Sequence, residues 1–362
     1  MSEPDNRQAP FPVPPDAPSS RHLSRRGWTV LLSVLLVAVF GAVGAIVTVP
    51  FVALGPGPTY DTLGAAADGP VIKIDGEKTY PTSGELMMTT VALTDDLTLF
   101  GALGLWVSGR YALEAREVYF PPGESDEDVK KENVQQFRDS QSNAVVAALR
   151  GLGYPVKVLA KEIVSGSPAD EVLSAGDELL VVNGQKITQA EDVRQALRGT
   201  RPGESISLTF QQDGRSERTE SIILAKRDDR PEGFIGLQPI DRADVSFSID
   251  ITLEDVGGPS AGLMFALAIV DRLTPGELAA GGTIAGTGEI SERGVVGPIG
   301  GISFKLVAAK EAGADVFLVP ADNCAEAAAS APDGLRLVKV GTLDDAITAL
   351  EKIDAGDRAP SC

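Results

Sequence analysis

Residues 255–264 read Asp-Val-Gly-Gly-Pro-Ser-Ala-Gly-Leu-Met, and this stretch decides how the C-terminal part of the chain folds. Pro259 has no amide proton and favours the first turn of a helix, and Gly257 and Gly258 allow unusual backbone dihedrals. The segment that follows, LMFALAIVDRL, is apolar around almost its whole circumference, which predicts a buried helix. Ser260 therefore either caps this helix or exposes its hydroxyl beside free backbone amides.

A long uncharged stretch, from Gly27 to Leu54, predicts one transmembrane helix. About 20 apolar residues suffice to cross a bilayer, and the apolar core of a cleaved signal peptide has only about 7 to 15. We therefore expect an uncleaved anchor. The positive-inside rule places the N-terminus in the cytoplasm and the remainder outside, because three arginines precede the stretch. They are Arg21, Arg25 and Arg26.

The proton of Ser260 needs a base, and the predicted topology removes the usual one. The single histidine, His22, lies before the anchor. A lysine can replace it when burial lowers its pKa. Lys305 suits this role, because Phe304 and Leu306 flank it in GGISFKLVAAKEAG and Ile302 shares its helical face. The competing interpretation is a lysine that extends from an apolar helix into solvent.

The GGPSAG motif and the segment TGEISERGVVGPIGGISFKLVAAKEAGADVFLVPADN, residues 287–323, resemble the proteolytic domain of Lon proteases. The resemblance implies that Ser260 is the nucleophile and Lys305 the general base. It also implies that four further residues line the active site: Gly258, Ala261, Thr287 and Glu289. Gly257 stands where Lon proteases usually carry an aspartate, and the nearest acid is Asp255.

A second unit has the order strand, Ser-Pro-Ala turn, Gly-Asp, strand, Asn-Gly hairpin, helix and two further strands. This order, carried by SGSPADEVLSAGDELLVVNG, resembles a bacterial PDZ domain. PDZ domains bind an extended peptide at a sheet edge, and the loop before Val156 is the candidate peptide site. Thr188 and Glu191 are expected to form a capping box, and Asp213-Gly214 a hairpin turn. A helix is expected from Ser125 to Leu149, with Gly151 as its C-cap.

These patterns predict an α+β fold of the Lon proteolytic type (ribosomal protein S5 domain 2-like) with a PDZ-like β-rich domain after one transmembrane helix. We expect the PDZ unit to be inserted into the protease domain, because ELMMTTVAL and SNAVVAAL resemble the opening of that domain. The predicted segments are a disordered tail (1–26), the transmembrane helix (27–54), an N-terminal protease part (55–150), the PDZ domain (151–228), the Lon-like domain (229–355) and a tail (356–362).

Composition and motifs argue against several classes of ligand. The net charge of −19 argues against nucleic-acid binding. The sequence contains no GxxxxGK[ST] motif, so nothing in it indicates an ATP-binding P-loop. No cofactor is expected, and the two cysteines, Cys324 and Cys362, lack metal-site spacing. An outer compartment permits a disulfide between them, and a free Cys362 is the alternative. The Lon resemblance also implies a homo-oligomer, a ring of six.

These observations favour an ATP-independent Ser-Lys endopeptidase on the outer face of the cytoplasmic membrane. Its substrates would be extracytoplasmic or membrane-tethered polypeptides, bound or gated by the PDZ domain. The alternative is a membrane-anchored PDZ scaffold whose Lon-like domain is inactive. The missing aspartate at Gly257 supports the scaffold, and the retention of Ser260 and Lys305 in matching contexts supports the enzyme.

Overall fold

The structure is a computed structural model that describes residues 24–66, 69–212, 215–253 and 256–362. Most of the predicted N-terminal tail, His22, the turn at Asp213-Gly214 and the acid Asp255 lie outside the described residues. The helices are α1 Arg25–Ile46, α2 Leu99–Val107, α3 Arg116–Tyr119, α4 Asp126–Gly151, α5 Ala190–Leu197, α6 Gly262–Leu273, α7 Ile302–Glu311, α8 Cys324–Ser330 and α9 Leu343–Asp354.

The strands fall into two larger sheets and several short hairpins. They are β1 Phe51–Asp61, β2 Ala65–Ala66, β3 Gly69–Pro70, β4 Ile72–Asp75, β5 Glu85–Thr94, β6 Ala112–Ala115, β7 Val156–Ile163, β8 Glu178–Val182, β9 Gln185–Lys186, β10 Ser205–Gln211, β11 Arg218–Ile223, β12 Ala225–Arg227, β13 Arg230–Phe234, β14 Leu237–Ala243, β15 Ser248–Ile251, β16 Thr283–Gly286, β17 Glu289–Ile290, β18 Val296–Gly297, β19 Val316–Pro320 and β20 Arg336–Val340. This mixture of helices and sheets confirms the predicted α+β fold class.

The first sheet joins strands from both ends of the chain, in the order β20-β19-β16-β5-β1-β6. β5 lies at the junction, antiparallel to β1 and parallel to β16. Strand β19 is buried on both faces: Leu318 packs in the cluster that contains α6, and Phe317 and Val319 pack in the cluster that contains α7. The period of two along a strand produces this division. The sheet is therefore covered by helices on each face, with α6 on one face and α7 on the other.

The second sheet has the order β11-β10-β8-β7-β14, with β9 beside β8, and it has its own core. Along the chain, the unit begins with β7 and ends with β14. These two strands pair antiparallel, so that Val156 lies opposite Ala243. The amide of Asp244 donates to the carbonyl of Pro155 at 2.8 Å. Both connections to the first sheet therefore leave this unit at one point. Strand β14 also belongs to the unit, although it lies in the segment 229–355 that was predicted as protease.

The structure corrects three local predictions from sequence. Helix α1 ends at Ile46 rather than at residue 54, since the chain turns extended at Val47 and β1 begins just after Pro50. Helix α4 runs to Gly151, and the left-handed position beyond its end is Gly153 (φ +80°).

The third correction concerns the start of α5. Its capping box is formed by Gln189 and Asp192, not by Thr188 and Glu191. The Asp192 carboxylate accepts from both the amide and the hydroxyl of Thr188, so the threonine supports the acid rather than the helix amides.

The residues predicted as a C-terminal tail are attached to β20. The amide of Lys339 donates to the carbonyl of Pro360 at 3.1 Å, and Ser361 forms a bridge with Val338. Cys324 and Cys362 form a disulfide, with their Cα atoms 5.1 Å apart. The end of the described chain is thus fixed to the edge of the first sheet.

Candidate active site

Ser260 lies in the turn that leads into α6, two residues before the helix begins at Gly262. Ala261 is the N-cap residue, and no side chain caps the helix. The first alternative for Ser260, a helix cap, is therefore wrong: its hydroxyl is left for other partners. Gly262 permits this geometry because a Cβ atom there would lie 2.7 Å from Ile290 Cγ2 and 2.8 Å from Ser140 Oγ.

Helix α4 holds the turn before Ser260 in place. The hydroxyl of Ser140 donates to the carbonyl of Pro259 at 2.7 Å, and the amide of Gly258 donates to the carbonyl of Asn133 at 3.0 Å. Gly258 adopts φ +82°, a conformation that disfavours any side chain. Ser140 and Asn133 are not among the site residues predicted from the sequence. They lie in KKENVQQFRDSQS, where most neighbouring residues are also polar, so no signal in the sequence distinguished them.

Lys305 reaches Ser260 from α7. Its Nζ donates to Ser260 Oγ at 2.7 Å and to Thr287 Oγ1 at 2.9 Å. Its side chain is only 2% exposed. In the described part of the chain no carboxylate forms a hydrogen bond or ion pair with this amine. Burial lowers the pKa of Lys305 to about 7, since the charged form is desolvated. A neutral amine is thus accessible near neutral pH.

Thr287 fixes the direction of that amine. Its own hydroxyl proton goes to the carbonyl of Ser260 at 3.0 Å, so Thr287 Oγ1 can only accept from Lys305. With one N–H directed to Thr287, the lone pair of a neutral Lys305 is free to accept the proton of Ser260. Thr287 is fully buried, just after β16.

Backbone amides also lie at this turn. The amides of Ser260 and Ala261 donate to no acceptor among the described residues. They lie at the N-terminal end of α6, where the helix dipole favours negative charge. A developing oxyanion on a bound carbonyl group would be stabilised there.

The structure does not bring Glu289 into contact with the serine–lysine pair. Its side chain is exposed on β17, and it forms no hydrogen bond or ion pair within the described residues. Gly257, where an aspartate was expected by resemblance, faces α4: a Cβ atom there would lie 3.1 Å from the Cβ of Asn133. A larger residue at 257 would therefore press against α4.

The loop before Val156 is not the start of a free sheet edge. β7 already has β8 on one side and β14 on the other, so a peptide cannot extend the sheet beside it. The expectation of a peptide site at this loop is therefore wrong. The free edges of this sheet, among the described residues, belong to β11, to β14 and to the two-residue strand β9, and α5 packs against β14.

Comparisons with known proteins agree with both units. Residues 252–351 match the model of the Lon protease (S16) C-terminal proteolytic domain, and residues 133–222 match the PDZ domain model. The Lon protease of Lachnoclostridium phytofermentans is 30% identical over 202 residues, which are 53% of this chain and 25% of that protein. The Lon protease of Rhizobium meliloti is 32% identical over 201 residues, 53% of this chain and 24% of that protein. The chain thus spans about a quarter of the length of these relatives.

Among solved structures, the PDZ domain of the SdrC-like protein from Listeria monocytogenes is similar, with 19% identity and a TM-score of 0.21. The match covers 23% of this chain and 86% of that domain. The superposition adds nothing to the PDZ assignment, which rests on the family model.

The C-terminal part of the chain is therefore a Lon-type proteolytic domain, as the motif around Ser260 predicted. The chain joins this domain to a PDZ domain and to one N-terminal helix long and apolar enough to cross a membrane. Neither of the two matching family models is an ATPase module.

Proposed function

We propose that this chain is an ATP-independent serine endopeptidase in which Ser260 is the nucleophile and Lys305 the general base. The observation that supports the proposal is the 2.7 Å contact between the Ser260 hydroxyl and a buried amine whose pKa is lowered to about 7. A nucleophilic serine needs a neighbouring base of this kind, within hydrogen-bond reach and able to be neutral at the working pH.

The reaction would proceed in two acyl-transfer steps. Neutral Lys305 takes the proton of Ser260 as its oxygen attacks the peptide carbonyl, and the amides of Ser260 and Ala261 stabilise the oxyanion. The Lys305 ammonium then gives its proton to the leaving amine. Lys305 then deprotonates a water molecule that attacks the acyl-enzyme, the ester bond to Ser260 breaks, and Lys305 returns the proton to Ser260 Oγ as the second product leaves. The substrate must already be unfolded or flexible near the cut, since no ATP-driven step is proposed.

The test compares the full chain in detergent micelles with Ser260→Ala and Lys305→Met on an unfolded, reduced and alkylated protein. We expect both variants to lose peptide release by a factor of roughly 10² or more, as for removal of a general base. Lys310→Met is the matched control, because Lys310 lies on the same helix and its Nζ bonds the carbonyl of Gly334 instead. Parental rates in Ser260→Ala or Lys305→Met would remove the proposal and leave the inactive scaffold.

The PDZ domain would supply substrate selection or gating. A peptide added to the outer edge of β14 would lie between this strand and α5, in the mode that PDZ domains use. The amide of Ala190, at the start of α5, donates to Asp241 on β14 at 2.6 Å, so that the strand and the helix are held together at this point. This edge replaces the loop before Val156 as the candidate peptide site.

The N-terminal helix would anchor the protease in the cytoplasmic membrane, with residues after it outside. Almost every side chain of α1 is exposed and apolar in the isolated chain, as expected for a lipid-facing helix. A disulfide between Cys324 and Cys362 supports an oxidising outer compartment. Oligomerisation into a ring stays a prediction from the Lon resemblance.

A further inference from the structure

A second apolar helix lies beside the end of α1. Helix α2 has the sequence LFGALGLWV, without a charged or polar side chain, and Thr98 caps its start. One side packs on the protein: Ala102 is buried in a small cluster with Ala53 and Leu97. The other side is open, with Trp106 60% and Val107 70% exposed. The large apolar side chains of α2 that are at least half exposed are Leu99, Phe100, Leu103, Trp106 and Val107.

The backbone ties α2 to the C-terminal end of α1. The amide of Leu99 donates to the carbonyl of Val47 at 3.3 Å, and the amide of Val49 donates to the carbonyl of Leu97 at 2.8 Å. The ring of Phe100 packs directly on Gly44, where a Cβ atom would lie 2.6 Å from Phe100 Cε2. The height of α2 along α1 is therefore set at the last turn of α1.

The last turn of α1, where α2 is attached, corresponds to a membrane surface. The 22 residues of α1 span about 33 Å at a rise of about 1.5 Å per residue, close to the roughly 30 Å of a hydrocarbon core. Gly44 and Phe100 then lie near the boundary between acyl chains and headgroups. The nine residues of α2 are too short to cross a bilayer. Tryptophan, here Trp106, prefers this boundary.

Exposure of such an apolar surface to water is unfavourable. A contiguous patch of exposed leucine, phenylalanine, tryptophan and valine side chains is rare on a soluble protein and marks an interaction site. The patch continues directly from the apolar surface of α1 through the contact between Phe100 and Gly44. The occupant that covers α1 would therefore also cover α2.

We propose that α2 is an in-plane membrane helix whose open side inserts into the outer leaflet of the lipid bilayer beside α1. The inference rests on the proposed anchoring by α1 and extends it. Two contacts fix the distance and the tilt of the first sheet relative to the bilayer, because β1 follows α1 and β6 follows α2. A single helix followed by a flexible joint would leave both free.

The two tryptophans of the chain, Trp28 in α1 and Trp106 in α2, allow a direct test. The full-length Trp28→Phe chain, reconstituted in phosphatidylcholine vesicles with brominated acyl chains, leaves Trp106 as the sole tryptophan. We expect roughly twofold quenching relative to unbrominated vesicles, with shielding from aqueous iodide, because interfacial helices lie about 5–10 Å deep. In this background Leu103→Glu should abolish the bromolipid quenching. Ile223→Glu, an exposed apolar position on β11, is the matched control and should leave it unchanged.

The full-length Trp106→Phe chain reports on α1 through Trp28 in the same vesicles. Bromolipid quenching of Trp28 without quenching of Trp106 would overturn the role of α2 and leave the anchor intact. Absence of quenching for both tryptophans would overturn the anchor itself. Trp106 shielded from iodide and from bromolipid alike would mean that another protein surface, such as a second copy of the chain, covers α2, and would also overturn the proposal.

Discussion

At the scale of single residues, the site consists of one amine and two hydroxyls whose protons have a defined order. Thr287 gives its proton to the carbonyl of Ser260 and accepts from Lys305, and Lys305 contacts the hydroxyl of Ser260. Each polar atom of these three side chains has a partner, and the lysine is left with one lone pair to use when neutral. The proposed chemistry therefore depends on the pKa of Lys305 and on the acceptor that orients it.

The first prediction concerns pH. Because burial lowers the pKa of Lys305 to about 7, the rate of substrate cleavage should rise with pH and level off above about 8. Single-turnover cleavage between pH 5.5 and 9 measures this limb. The same shift acts on folding: between about pH 7 and the ordinary lysine value of 10.5 the unfolded state binds more protons, so stability rises with pH across that window. A flat rate from pH 6 to 9 would contradict the role of Lys305.

The second prediction concerns Thr287. Thr287→Val removes the acceptor of Lys305 and the donor to the Ser260 carbonyl, and we expect kcat to fall roughly 10- to 100-fold, the effect of an unsatisfied buried hydrogen bond. Thr287→Ser keeps the hydroxyl and should retain most of the activity. A purely structural role would instead make both variants lose thermal stability and activity together, which calorimetry alongside the kinetics would reveal.

At the scale of elements, α4 connects the turn before Ser260 to the PDZ domain. Its middle holds the turn before Ser260 through Asn133 and Ser140. Its last turn carries Arg150, which forms an ion pair with Asp241 on β14 and donates to the carbonyl of Glu292 at 3.1 Å. One helix thus contacts the turn before Ser260 near its middle and the candidate peptide edge at its C-terminal end.

Only part of the arrangement around Ser260 could be predicted from the sequence. Ser260 and Lys305 could be predicted together, because the GGPSAG motif contains the serine, Lys305 has apolar neighbours, and the single histidine, His22, precedes the predicted anchor. The partners Ser140 and Asn133 were not, because a hydrogen bond between residues more than 100 positions apart leaves no local pattern. The capping box at Asp192 was misassigned by one residue, since Glu191 fits the same pattern and only the helix start distinguishes them.

The third prediction tests the link at the end of α4. Asp241 is nearly fully buried, and burial raises its pKa. Arg150→Gln removes the cation that offsets this cost, and we expect a loss of about 1–3 kcal/mol. The loss should be larger at pH 8 than at pH 5, because burial raises the pKa of Asp241 and a larger fraction of the carboxyl is therefore neutral at the lower pH, where the missing cation costs less.

Calorimetry at both pH values measures this loss. Asp241→Asn in the Arg150→Gln background should recover part of it. Lys131→Gln, which breaks an exposed ion pair with Glu127 on the same helix, should change stability by less than about 0.5 kcal/mol. Equal losses at pH 5 and pH 8 would show that the Asp241 charge is not involved.

At the scale of the whole molecule, the first sheet is assembled from chain segments on both sides of the PDZ unit. β1, β5 and β6 come before it, and β16, β19 and β20 come after it. A unit inserted into another domain needs two ends that lie close together, and here Val156 and Ala243 are cross-strand partners. Cross-strand Cα atoms are about 4.5–5.5 Å apart. The two ends of the PDZ unit are therefore as close together as the ends of a short turn.

This geometry predicts that the PDZ unit can be removed without unfolding the protease. Replacing residues 156–243 by Gly-Gly joins Pro155 to Asp244, whose carbonyl and amide are already 2.8 Å apart. Because the second sheet has its own core, we expect the shortened chain to keep a cooperative thermal transition and to cleave an unfolded protein at a rate close to that of the parent. Selection among substrates should be lost instead, measured as the ratio of cleavage rates for two proteins that differ only in their C-terminal residues.

The same deletion with Ser260→Ala controls for contaminating proteases. A shortened chain that folds but cleaves nothing would show that the PDZ unit is needed to form the active site, through the contact of α4 with Asp241, rather than to choose what reaches it.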